Sequence, residues 1–226
     1  MNAPVRIDLH VHSEHSPDSA LRVEEAAPLL KSAGFLGFAL TDHNSVAGHQ
    51  KLFDLRSKFP GFLFVPGVEV STREGHLLAY GVTSVPPPHR PIAETAQWVA
   101  AQGGVAVLAH PFRRSHGVGL RVAEAVSVSA LESRNGHTSE VANAKAGLVA
   151  ARRQLGTTGG SDAHALADLG RAFTELPYAV ASVDDLLESI RRGQTTAGGQ
   201  SLGWPGRFRL GLRTGALLIR RGFRPI

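Results

Sequence analysis

Val5-Arg6-Ile7-Asp8-Leu9-His10-Val11-His12 begins as a short apolar run and ends on two histidines two positions apart. Residues 5–9 read as a β-strand, and a period of two puts both imidazoles on one side of the chain, where they can chelate one ion together. Alone, such a pair is a weak sign of metal, because a histidine at a strand end is more often a hydrogen-bonded loop residue. The same setting recurs downstream. Residues 35–41 are strand-like and close on Thr41-Asp42-His43-Asn44, while residues 62–70 are β-rich, with Glu69 late and a turn expected at Pro66-Gly67. His76 opens a strand over residues 77–82, and a fifth strand over 105–109 ends at Ala109-His110-Pro111. A weaker strand over about 126–131 and a short one over 157–160 follow, the latter leading into Gly159-Gly160-Ser161-Asp162-Ala163-His164.

Between these runs lie segments of helical character at residues 22–33, 45–58, 92–102, 139–153 and 183–192. Pro28 must sit near the start of the first or kink it. The alternation predicts repeated βα units in one α/β domain, the size expected of 226 residues. Parallel β/α barrels gather active-site side chains from distant segments at one end of their strands. Imidazole and carboxylate without thiolate suit Zn, Mn or Fe better than Mg or Ca alone.

The formal charge of +5 is local: no acidic residue follows Glu188, whereas eight arginines do, and without them the chain is near −3. That argues against a globally basic nucleic-acid binder and for a separate tail. Cysteine is absent, which excludes disulfides and thiolate chemistry. No apolar run reaches the roughly 20 residues of a membrane span, and the expected location is cytoplasmic.

Asp8-Leu9-His10-Val11-His12-Ser13, Thr41-Asp42-His43-Asn44, Gly67-Val68-Glu69-Val70-Ser71, His110-Pro111 and Gly160-Ser161-Asp162-Ala163-His164 together resemble the PHP family, named for polymerase and histidinol phosphatase. The resemblance spans about residues 5–197, in order, and is specific as a set. It implies a distorted seven-stranded β/α barrel with up to three divalent ions at the C-terminal strand ends. By resemblance His10, His12, Glu69 and Asp162 hold the first ion, and Glu69 bridges to a second held also by His76 and His110. Asp18, His43 and His164 hold the third. Asp18 stands where histidinol-phosphatase-like members often carry His, which is closer to the phosphoesterase and nucleotide or RNA-trimming branch. His15 has the wrong spacing to substitute and reads as a loop residue.

The activity so implied is metal-dependent hydrolysis of a phosphomonoester, small phosphodiester or nucleotide, with Glu69 and Asp162 central and a metal-activated hydroxide attacking in line. Arg113, three residues past His110, can reach a phosphate oxygen or remain a solvated loop residue. Asp8 and Asp42 can orient neighbouring imidazoles, but ordinary loop or cap hydrogen bonds are the preferred reading. Three other classes compete: a nuclease trimming RNA or DNA 5′ ends, a metal-dependent amidohydrolase, and a non-catalytic scaffold. Amidohydrolases bridge with a modified lysine or a carboxylate, and the four lysines at 31, 51, 58 and 145 fall in expected helices. A scaffold would show eroded ligand positions, and all nine carry capable side chains. The expected division is a barrel over residues 1–197 and a basic Gly/Arg-rich tail over 198–226. The tail's Arg207, Phe208, Arg209, Leu210, Leu212 and Arg213 alternate charge and bulk, as a strand laid along single-stranded nucleic acid would, or dock on the barrel.

Overall fold

The computed structural model describes residues 4–201, so the basic tail from residue 202 onward lies outside the described residues. β1 (Val5–Val11), β2 (Gly37–Leu40) and β3 (Leu63–Ser71) run parallel, separated by α1 (Val23–Ser32) and α2 (His49–Asp54). β4 (His76–Tyr80) turns back antiparallel to β3, and β5 (Val105–Leu108), reached through α3 (Ile92–Ala101), is antiparallel to β4. α4 (Gly119–Ala125), β6 (Ala130–Asn135), α5 (Glu140–Arg152) and β7 (Gly156–Gly160) follow, with β5, β6 and β7 parallel. These are the seven expected strands. A further pair, β8 (Ala172–Leu176) and β9 (Thr196–Gly199), flanks α6 (Val183–Arg191) and adds to the outer side of β1, giving a nine-stranded, nearly closed barrel.

Closure comes where β7 returns to β1. The His12 N–H donates to the Ala163 carbonyl at 2.9 Å, and the Ala163 N–H donates to that of His10 at 3.3 Å. Gly160 makes this approach possible, since a Cβ there would lie 2.2 Å from the Cβ of His10. Gly160→Ala is therefore expected to destabilise the fold by about 3 kcal/mol, the upper range for overpacking a core. An unchanged urea midpoint would show that the seam is loose.

Ile7 and Leu9 pack inside the barrel with Val65, Leu78, Tyr80 and Val107, and Leu186, Leu187 and Ile190 of α6 join the same cluster. Val11 packs outside, with Phe38, Leu40 and α1. A third cluster fills the space under α3, α4 and α5. An uninterrupted strand would keep Ile7, Leu9 and Val11 on one face and send His10 to the other. The register shift between Asp8 and Val11 changes that parity, so apolar residues line the lower barrel and histidines the upper.

Several local expectations are corrected. No turn interrupts Pro66-Gly67: β3 runs through it, exchanging β2 for β4 as partner at that point. The second helix is only His49–Asp54, with turns from Leu55 toward Pro60, whose ring disfavours helix in the residue before it. Pro28 lies inside α1 on its exposed side. The strand expected over 126–131 begins at Ala130 and continues through Glu132, Arg134 and Asn135, polar residues that hide its pattern. Among the described residues no helix is long and apolar enough to cross a membrane.

Candidate metal centre

One carboxylate organises the upper end of the barrel. Glu69, late on β3 and 1% exposed, has Oε1 at 2.8 Å from both His76 Nδ1 and His110 Nε2. Its Oε2 lies 3.3 Å from His10 Nε2 and 3.2 Å from both His12 Nε2 and His43 Nδ1. His76 can join because β4 is reversed: its first residue pairs with Ser71, at the same end of the barrel as the last residues of the parallel strands.

Asp162 completes a second convergence. Its Oδ1 stands 3.5 Å from His10 Nε2 and 3.3 Å from His12 Nε2, and these two imidazole nitrogens are 3.1 Å apart. On the outer side Asp18 Oδ2 meets His164 Nε2 at 2.9 Å and His43 Nε2 at 3.4 Å. The nine residues singled out as ligands are thus brought together. Four groups can each bring at least three donor atoms within 4.8 Å of one another: His10/His12/Glu69/Asp162, His12/Asp18/His43/His164, His43/Glu69/His76 and His137/Asp162/His164. His110 lies outside these groups but shares the Glu69 oxygen that faces His76. Two of the nine, His110 at φ 27° and Asp162 at φ 56°, hold left-handed backbone, which costs a non-glycine residue about 1–3 kcal/mol.

Arg113 reaches the cluster, its Nη1 donating to Asp162 Oδ2 at 2.7 Å. Asp8 does not orient an imidazole: it accepts the backbone N–H groups of Ser161, Gly170 and His10. Asp42 likewise accepts the N–H and Oγ–H of Ser13. His15 belongs to none of the four groups. Sequence reading missed Glu132, Asn135 and His137. Glu132 Oε1 lies 2.9 Å from His10 Nδ1, Asn135 Nδ2 donates to Asp162 at 3.3 Å, and His137 is buried 3.8 Å from the same carboxylate. The polar run Glu132-Ser133-Arg134-Asn135-Gly136-His137 was the available signal, hidden because it does not look like a strand.

The electrostatics are those of a cation site. Burial alone would raise Glu69 and Asp162, but the surrounding histidines, with Arg113 on Asp162, hold both well below the carboxylate range. Burial pulls His12 down, yet its bonds to Asp162 and Glu69 win and push it up to about 10; His10 also rises, drawn by Glu132, Asp162 and Glu69 against burial. Burial, then Arg113, lowers His110 to about 3, and burial lowers His43. Asp18 Oδ1 is buried without a partner. Divalent cations fit this set, since they would satisfy the orphaned oxygen and separate two nitrogens that otherwise face each other.

With His12 pushed up to about 10 and His10 raised by the same carboxylates, the pair is expected to bind a proton at neutral pH when no ion is bound. Uptake of a divalent ion below about pH 10 is expected to release at least one proton, and affinity should fall as pH falls. Calorimetric titration in buffers of different ionisation enthalpy measures this directly. Buffer-independent heats would contradict it.

The PHP domain model matches residues 8–109, and the PHP-associated model matches residues 140–195. MJ1587, an uncharacterised protein of Methanocaldococcus jannaschii, is 29% identical over 118 residues, covering 48% of this chain and 68% of that protein. PsfC from Pseudomonas syringae superimposes with a TM-score of 0.69 at 19% identity, covering 99% of this chain and 100% of its own. A proposed metal-dependent phosphoesterase from Bifidobacterium adolescentis gives a TM-score of 0.61 at 16% identity, covering 89% of this chain and 98% of its own. At these identities the two structures attest a common fold. With that fold and with matching models before and after the middle of the barrel, the chain belongs to the PHP domain family.

Proposed function

We propose that the chain is a metal-dependent phosphoesterase acting on a phosphomonoester, a small phosphodiester or a nucleotide. The observation that carries this reading is the meeting of five histidines on the two oxygens of Glu69, with Asp162 and Asp18 on either side. His10, His12, Glu69 and Asp162 would hold one ion, Glu69, His76 and His110 a second, and Asp18, His43 and His164 a third. Zn, Mn and Fe suit this donor set. Bound there, such ions supply an activated water near neutral pH and offset charge on phosphoryl oxygens.

The chain's own residues do the rest. Glu69, whose two oxygens face different groups of imidazoles, would be shared between two ions. Arg113, a quarter exposed and bonded to Asp162, would donate to a non-bridging phosphate oxygen of the substrate. A lysine-bridged amidohydrolase centre finds no support: Lys51 pairs with Glu14, Lys31 and Lys145 lie over Phe59 and Phe112, and Lys58 is exposed.

The test is a screen of metal-reconstituted protein over phosphomonoesters, bis(p-nitrophenyl) phosphate, nucleotides, short 5′-phosphorylated RNA and an amide panel. Turnover of amides alone would sink the reading. The basic tail adds a separable proposal, contact with single-stranded nucleic acid. Deleting the residues after Ser201, beyond β9 and its last described contacts, is then expected to leave hydrolysis of a small chromogenic ester within a few-fold while weakening RNA binding and flattening its salt dependence. Equal affinity and equal salt slope for both proteins would remove nucleic acid from the account.

A further inference from the structure

Glu132 is 1% exposed and uses both oxygens. Oε1 lies 2.9 Å from His10 Nδ1, while Oε2 accepts the His110 backbone N–H at 2.8 Å and an Asn135 Nδ2 hydrogen at 3.1 Å. The Asn135 amide cannot flip without loss, because its Oδ1 already accepts from the His137 N–H at 2.9 Å and the Thr138 hydroxyl at 3.1 Å. Its Nδ2 is therefore left to span Glu132 Oε2 and Asp162 Oδ2. Residues three apart on a regular strand face opposite ways, but the register shift between Glu132 and Arg134 puts Glu132 and Asn135 on the same side of β6.

We propose that Glu132, braced by Asn135, is a positioning residue that holds His10 with its proton on Nδ1, so that Nε2 presents its lone pair to an ion shared with His12, Glu69 and Asp162. The inference rests on the reading of this centre as a divalent-metal site. A neutral imidazole has one donor and one acceptor nitrogen, and the partner of one decides the role of the other. His10 Nε2 is the atom facing His12, Glu69 and Asp162, so the proton has to reside on the nitrogen facing Glu132. The same carboxylate fixes the backbone of His110 and, through Asn135, the Asp162 oxygen that also accepts from Arg113. The side chains of His10 on β1 and Asp162 after β7, and the backbone of His110 after β5, are thereby set by one residue of β6.

Glu132→Gln separates this role from simple filling of space. Two donors, the His110 N–H and Asn135 Nδ2, face the Oε2 position, so the glutamine oxygen belongs there and its NH2 turns to His10 Nδ1. An NH2 at that place favours the opposite tautomer, with the lone pair on the wrong nitrogen. The experiment is 15N NMR of the histidine rings in the zinc-loaded and metal-free full chain, together with zinc stoichiometry and affinity by chelator competition, for the native protein and the variant. Expected are a zinc-bound Nε2 and protonated Nδ1 for His10 in the native protein, and a loss of about 10- to 100-fold in affinity at one site in Glu132→Gln. Affinity within threefold of native, with an unchanged His10 tautomer, would overturn the proposal and leave the metal centre standing. A native protein that takes up no zinc would overturn both. Should the variant fail to fold, zinc-bound Nδ1 in the native protein is by itself sufficient to reject the role.

Discussion

Glu69→Gln is expected to slow hydrolysis of a model phosphodiester at least about 100-fold, equivalent to roughly 2.7 kcal/mol of barrier, and to lower metal content. Five imidazole nitrogens lie within 3.3 Å of its two oxygens. Glutamine has nearly the same shape but only one oxygen, so one of the two groups of imidazoles faces an NH2 that cannot ligate a cation. The neighbouring Val68 and Val70 continue to pack under α3, so the barrel is expected to survive. Steady-state rates at saturating metal, with metal analysis of the same sample, decide the matter. Parental turnover with full metal loading would show that Glu69 does not bridge.

Removing the ions from native protein should act on activity and stability together. Protein purified without chelator is expected to hold between one and three equivalents of Zn, Mn or Fe, and to lose phosphoesterase activity when they are stripped. Ions that bind only the folded chain add about 2.7 kcal/mol at a free concentration 100-fold above Kd. For a domain of this size that corresponds to a rise in Tm of about 5–10 °C per site. Melting curves with and without chelator, followed by reconstitution, measure both effects. Metal-free protein with undiminished activity would be incompatible with the proposed chemistry.

The backbone conformations of His110 and Asp162 bear on both predictions. Each turns its side chain into the cluster from just beyond a strand, at positive φ. Such conformations persist only where surrounding contacts over-determine them. Arg113, Asn135 and the His110–Glu132 hydrogen bond supply those contacts before any ion arrives. The centre is thus organised by the protein.

What the sequence alone determined is the supply of donors and their order. His10 and His12 after an apolar run, His43 and Glu69 near strand ends, His76 and His110 beside the next two, and Asp162 and His164 after a glycine pair are local patterns. Local patterns are legible because a strand's apolar run and its terminus are properties of consecutive residues. Direction, parity and closure were decided only in three dimensions. His76 reaches the centre because β4 is antiparallel, and that direction depends on its pairing with β3 and β5. His10 faces inward together with Leu9's layer because β1 shifts register against β2. Glu132 and Asn135 share a face for the same reason on β6, and Gly160 matters because the backbone of β1 lies against it. Each of these depends on a partner far along the chain, and no periodicity within one strand records where its neighbour's hydrogen bonds slip.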